Sequence, residues 1–209
     1  MVSNPRMPTT NTPDSTRATL LEAAFTEIHR HGFQAASLSR ILADTGLTKG
    51  ALYHHFPSKQ ALGLAVVDEV IHQRLEQNIF RPLKNSPRPL DTLLHLLEER
   101  IQARQHELVN LGCPLNNLMQ EMSPLDPQFQ AHLNKVLEAW VHSFESALKL
   151  AQAQGEIPAQ VDCAAVALFI VSSLEGCIGI AKNRRSSEAL RSCTHQLRCY
   201  IEHLRRPSL

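Results

Sequence analysis

The stretch from Ser37 to Lys59, SLSRILADTGLTKGALYHHFPSK, leaves this chain the least freedom in what it can fold into. Ser37 can cap a helix over Leu38 to Asp44, whose inward face is Leu38, Ile41 and Leu42. Gly46 permits a tight turn with positive φ, and Leu47 is expected to bury beneath it. Thr48 then caps a short helix, Lys49 to His55, which stops because Pro57 biases Phe56 away from helical backbone. Two short helices around a glycine turn are the pattern of a helix-turn-helix.

The rest of the chain reads as helical. It has 209 residues, 43% hydrophobic and 20% charged, and only 8 glycines, which argues against a loop-rich β protein. Residues 1–13 are rich in Pro, Thr and Asn and are expected to form a flexible arm, in which Arg6 could reach a minor groove. A first helix is expected to start near Asp14 to Thr16, with Leu21, Ala24, Phe25 and Ile28 on one face and Gly32 as its stop.

From Ser58 the pattern stays helical for more than twenty residues, until Pro82, Pro87 and Pro89 punctuate it. Helices follow from Leu90 to about Val109, from Pro114 to Met122, and from about Asp126 to Gln154. Two more are expected at Cys163 to Lys182 and Ser187 to Leu204. In the first of these Val166, Phe169, Ser173, Gly176 and Ile180 recur at spacings of three and four, and the helix reads as buried nearly all round. In the second, Leu190, Cys193, Leu197, Tyr200 and Leu204 recur in the same way. Two such seams side by side suggest a four-helix interface between two copies of the chain. A seam that packs only within one subunit is the alternative, because nothing local distinguishes the two.

The chemistry of residues 37–59 suits double-stranded DNA. A recognition helix presents its N-terminal residues to base edges while its flanks meet phosphates. Lys49 lies at that end, and Gly50 and Ala51 are small enough for close approach. Tyr53, His54, Lys59 and the hydroxyls of Ser37 and Thr48 can donate to phosphate oxygens, while Leu52 and Phe56 are expected to point inward. Residues from about Thr16 to Lys59, and TGLTKGALYHHFPSK in particular, resemble the DNA-binding domain of the TetR/AcrR family of transcriptional regulators. The resemblance implies an all-α homodimer with an N-terminal three-helix helix-turn-helix domain and a larger helical C-terminal domain of about nine helices in all, for ligand binding and dimerisation. On this division residues 14–59 bind DNA and 60–209 bind effector and partner. It further implies that Ser37, Thr48, Lys49, Tyr53, His54 and Lys59 contact a palindromic operator.

Candidate effector contacts are weaker signals. LGCPLNNLMQEMS, Leu111 to Ser123, is similar to a Gly-Cys-x-Leu-x-Asn-Leu motif of one subgroup, some of whose members respond to small electrophiles or short organic acids. Cys113 is expected at a helix N-terminus, where the dipole favours thiolate; the competing reading is a small buried apolar residue. Asn117, Met119, Trp140, Phe144 and Phe169 could line a cavity, and Glu121 and Glu175 carry charge beside apolar neighbours. His29 with His31, and His54 with His55, lack the i, i+4 geometry of a helical metal pair, so no metal site and no cofactor are expected. Five cysteines, an odd count without paired spacing, suggest free thiols in a reducing compartment. No apolar run reads as long enough to span a membrane and no secretory signal is visible, so a soluble cytoplasmic protein is expected. Two rivals stay open: a helical enzyme with Cys113 as nucleophile, and a DNA-binding activator rather than a repressor.

Overall fold

The structure, a computed structural model, describes residues 13–205. The expected arm over 1–13 lies outside them, apart from Pro13, which opens the first helix. Among the described residues the chain is all-α, and it divides into two compact units between Val66 and Val67.

The first unit holds α1 (Pro13–His31), α2 (Leu38–Thr45), α3 (Lys49–His55) and α4 (Lys59–Ala65). Its core is one apolar face of α1, with Leu20, Ala24, Phe25 and Ile28, closed by Ile41, Leu52, Phe56 and Leu62 from the other three helices. Gly46 adopts φ 67° and donates its N–H to the Leu42 carbonyl, so the turn is made as a left-handed residue makes it. Thr48 and Ser58 cap α3 and α4 as expected, their hydroxyls accepting from the amides of Ala51 and Ala61. Ser37 does not cap α2 with its side chain; its hydroxyl pairs with that of Ser39 instead, at 2.8 Å. Leu47 is only half-buried.

In the second unit the helical hydrogen bonding continues past Pro82 rather than ending there. It runs through a π turn (Val66–Ile71), α5 (His72–Leu75), a second π turn (Glu76–Phe80) and α6 (Arg81–Lys84). Arg81 donates to the carbonyl of Glu76, five residues back, and this widened turn lets proline follow without ending the helix. Counting the run from 59 to 84 once gives nine helices among the described residues. The others are α7 (Pro89–Leu111), α8 (Pro114–Met122), α9 (Pro127–Ala153), α10 (Cys163–Arg184) and α11 (Ser187–Glu202). Asp126 and Asp162 cap α9 and α10, each carboxylate accepting from two amides of the first turn. The largest fully buried side chains here are Phe129 and Phe144 of α9, together with Leu90, Leu93, Leu115, Leu133, Leu148 and Ile157, and Trp140 is nearly as deeply buried.

Helix α10 corrects two expectations. It is long and apolar enough to cross a bilayer by length and composition, because a single Glu175 does not offset the apolar residues around it. It packs on α7, α9 and α11. Nor is it buried all round: Ala167, Ile170, Val171, Leu174, Cys177, Ile178 and Ala181 face inward, while Leu168, Phe169, Gly176 and Ile180 are exposed.

The thiols need correcting as well. Cys177 of α10 and Cys193 of α11 form a disulfide, and Cys113, Cys163 and Cys199 are free. No i, i+4 rule links positions 16 apart; the two sulfurs meet only because the helices pack side by side.

Candidate nucleic-acid interface and effector cavity

The outward face of α3 is built from its inward one. Leu52 and Phe56 are buried at 0% and 2% exposure, and at helical spacing that turns Lys49, Gly50, Tyr53 and His54 to the surface. The Phe56 ring is held from outside by the Arg17 guanidinium, 5.0 Å from its centroid. Thr48 is exposed beside Lys49, Ala51 is half-exposed, and Tyr53 is 50% exposed. A Cβ added at Gly50 would meet nothing nearer than the Thr48 hydroxyl at 3.8 Å, so packing within the chain does not require glycine there. The small residue leaves room on the outside, where the backbone of a ligand can come close.

Two of the expected contact residues have other work. Lys59 lies half-exposed at the start of α4; its ammonium donates to the Gln34 carbonyl at 2.9 Å and sits 5.0 Å from the Phe33 centroid. Ser37 is half-buried, and its backbone N–H donates to Glu27 at 2.9 Å. Glu27 is a residue that sequence reasoning missed. Only 6% exposed, its carboxylate also accepts from Arg40 Nε at 2.6 Å, so it fastens α1 to the first turn of α2. Burial pushes its pKa up, but the hydrogen bonds from Arg40 and Ser37 outweigh this and hold it below the usual value. The signal was present: Leu20, Ala24 and Glu27 fall at spacings of four and three, placing an acid on the core face.

In the second unit a cavity of about 330 Å³ lies among the π turns, α5, α7, α8, α9 and α10. Of the expected effector residues it brings together Cys113, Trp140 and Glu175, among aliphatic side chains that include Ile101, Leu108, Leu174 and Ile178. The indole Nε1 of Trp140 and both carboxylate oxygens of Glu175 are buried without a well-formed protein hydrogen bond, the Cys113 thiol lying beside the carboxyl group as a weak donor. Burial pushes the Glu175 pKa up to about 7, against smaller opposing effects of that thiol hydrogen bond and of the Arg104 charge. The same burial, reinforced by Glu175, pushes the Cys113 thiol well up, which favours the buried, un-ionised thiol over the thiolate reading. A helix dipole is worth less than the cost of taking a thiolate out of water.

Five other expected contacts, Asn117, Met119, Glu121, Phe144 and Phe169, are absent from the wall. Phe144 is buried behind it, with its ring edge-on to Trp140 at 6.1 Å. Phe169 is 50% exposed on the opposite face of α10, where it meets the ring of Tyr200 at 4.8 Å. Asn117 braces the α7–α8 corner, donating to the Leu111 carbonyl at 2.7 Å and accepting from Lys182 Nζ at 3.0 Å. Glu121 is half-exposed on α8 and does not line the cavity either. The corner explains why Gly112 precedes Cys113. Its φ is 79°, and a Cβ would lie 2.9 Å from Lys182 Cδ and 3.0 Å from Asn117 Oδ1.

The two expected seams are placed differently. Leu190 and Leu197 are buried in the subunit's own core, and Cys193 is in the disulfide. Phe169, Gly176, Ile180 and Tyr200 are exposed, together with Leu168, which the spacing did not single out; Val166, Ser173 and Leu204 are half-exposed. No group of three or more metal-ligating side chains occurs among the described residues.

Residues 20–66 match the family described as bacterial regulatory proteins, tetR family, and residues 89–197 match the tetracyclin repressor-like C-terminal domain. The chain is 31% identical to the transcriptional regulator AcuR of Cereibacter sphaeroides, over 87% of this chain and 84% of that one. It is 28% identical to the transcriptional repressor DhaR of Mycobacterium sp. GP1, over 83% and 86%. Among solved structures it superposes on the regulatory protein TetR from Rhodobacter sphaeroides with a TM-score of 0.79 at 27% identity, covering 88% of this chain and 98% of that one. For a TetR transcriptional regulator from Chloroflexus aurantiacus the TM-score is 0.81 at 26% identity, with 94% and 98% covered. These relatives are regulators and not enzymes. Matched through both its helix-turn-helix and its C-terminal region, the chain belongs to the TetR family of transcriptional regulators.

Proposed function

We propose that the protein is a homodimeric repressor that binds a palindromic operator and is released by a small-molecule effector. The observation that carries this reading is the α3 surface: Thr48, Lys49, Gly50, Tyr53 and His54 turned outward from a core closed by Leu52 and Phe56. Lys49, Tyr53 and His54 meet phosphates and base edges of a major groove, and Gly50 and Ala51 let the backbone approach. Lys59 and Ser37 act at the margin, through groups partly engaged within the unit.

One such helix reads a half-site, so pairing supplies the other half. The exposed apolar side chains Leu168, Phe169 and Ile180 of α10 and Tyr200 of α11, with the bare backbone of Gly176 between them, support a second copy as the partner. The effector occupies the cavity walled by Cys113, Trp140 and Glu175, and favours a form whose two α3 helices no longer fit successive major grooves. By linkage, effector and operator weaken each other equally. The protein works in the cytoplasm, where it meets its DNA.

Fluorescence-anisotropy titration at fixed salt with a duplex carrying the gene's own promoter region tests this. Lys49→Ala or Tyr53→Ala should weaken binding at least tenfold with the thermal transition unmoved. Unaltered affinity in both variants would refute the interface.

A further inference from the structure

The second-unit cavity carries a more specific chemical demand. Its wall is mostly aliphatic, and the buried polar atoms on it without a well-formed protein hydrogen bond are a donor, Trp140 Nε1, and the two oxygens of Glu175, which have only the weak thiol donor of Cys113 beside them. Trp140 is 3% exposed, so water reaches its N–H poorly. A group left in this condition gains whatever a bound molecule supplies as a partner.

The charged groups on the wall disfavour an ion at Glu175 itself. Arg74, Arg100 and Arg104 also line the cavity, all three solvent-exposed and Arg104 in a two-pronged pair with Glu107 at 3.1 Å. An ammonium group brought to Glu175 would enter a cavity that these guanidinium groups line. A carboxylate is drawn toward the guanidinium groups, but at Glu175 it faces another carboxyl group and binds there only when that group is protonated. An uncharged group that both donates and accepts is indifferent to this, since it donates to Glu175 when ionised and accepts from it when neutral.

We propose that the cavity binds a small, mostly apolar molecule ending in an uncharged donor–acceptor group, a hydroxyl or carboxamide, which accepts from Trp140 Nε1 and pairs with Glu175. The inference rests on reading the second unit as effector-binding, and it names the class of effector. The volume of about 330 Å³ is roughly twice that of an engineered apolar cavity that holds benzene, so the body has about six to twelve heavy atoms.

Trp140 is the chain's only tryptophan, so emission excited where tyrosine does not absorb reports on this wall alone. Hexan-1-ol, hexanoate and hexylammonium, matched in length, would be titrated into the full-length protein at pH 7. Hexan-1-ol should change the emission with a Kd at least tenfold below those of both ions. Glu175→Leu should weaken hexan-1-ol tenfold, whereas Glu175→Gln, whose carboxamide also donates and accepts, should weaken it no more than about threefold. On lowering the pH below 7, hexanoate should gain affinity while hexan-1-ol changes little. Tighter binding of either ion at pH 7, silence of Trp140 toward all three probes, or full affinity in Glu175→Leu would overturn the assignment. Anisotropy of labelled promoter DNA on the same samples separates the two readings. A Trp140 response without DNA binding leaves the cavity assignment standing and removes the repressor; DNA binding with Trp140 silent does the reverse.

Discussion

Replacing Glu175 by glutamine should stabilise the protein at alkaline pH and do little in acid. Its carboxylate oxygens are buried with only the weak thiol donor of Cys113 beside them, and burial lifts the pKa from the ordinary 4.5 to about 7. Between those values the folded protein holds a proton that the unfolded chain has released, so stability falls as pH rises through this window. Below 4.5 both states are protonated and the residue contributes nothing. Above 7 both are ionised and the native state carries the full cost, about 3 kcal/mol for a shift of that size. Glutamine has nearly the same shape and no charge. Its buried amide costs the same at every pH, so the informative quantity is the change in the mutational effect with pH. Urea unfolding of Glu175→Gln and the parent at pH 5 and pH 8, at one fixed protein concentration because a dimer's stability depends on it, should show the variant gaining about 2 kcal/mol between the two. An effect equal at both pH values would mean that Glu175 is ionised and compensated in the folded state, and the argument from burial would fail.

The other expectations concern different parts of the molecule. Glu27→Ala should destabilise by about 2 kcal/mol, since it strands the Ser37 amide and removes the charge-assisted bond from Arg40 Nε. Glu27 has the opposite pH sign to Glu175: its depressed pKa contributes stability above the ordinary carboxyl range, lost as pH falls through it, so the variant's deficit should shrink in acid urea melts. Cys193→Ser should cost about 3 kcal/mol, the usual effect of opening a loop of this length, and a thiol reductant should lower the melting temperature of the parent but not of the variant. Under brief, limiting iodoacetamide, mass spectrometry should find Cys199 labelled ahead of Cys113, because Cys199 is partly exposed and Cys113 is a buried thiol; faster labelling of Cys113 would restore the thiolate.

What the sequence made legible was local. Thr48 caps where expected, and Ser58, Asp126 and Asp162 cap in the same way, because a cap needs only its own side chain and the next three amides. Gly46 and the inward pair Leu52 and Phe56 are equally local, and with them the outward face of α3 could be read. What escaped depends on which elements meet. Glu27 finds Ser37 and Arg40 only after α1 and α2 pack, and Cys177 finds Cys193 only across two helices. Phe169 and Leu197 sit in patterns of identical spacing, yet one is exposed and the other buried. A spacing of three and four marks a face that packs against something, and it carries no information on whether that is the chain's own core.

This ambiguity in α10 has a physical consequence. Glu175 and Gly176 are neighbours in sequence and therefore point about 100° apart, one onto the cavity wall and the other onto the exposed apolar face. A helix of 22 residues held by its own hydrogen bonds moves largely as a rigid body, so a displacement or rotation imposed at Glu175 is shared by Phe169 and Ile180. The Cys177–Cys193 bond passes the same movement to α11, and with it to Tyr200. At the other end of the route, Lys182 of α10 is tied through Asn117 to the corner that carries Gly112 and Cys113. The cavity wall and the exposed face are thus two sides of one element. A ligand that engages Glu175 acts on the surface proposed for pairing without touching it, and Cys193→Ser should weaken that coupling while leaving the response of Trp140 to hexan-1-ol intact.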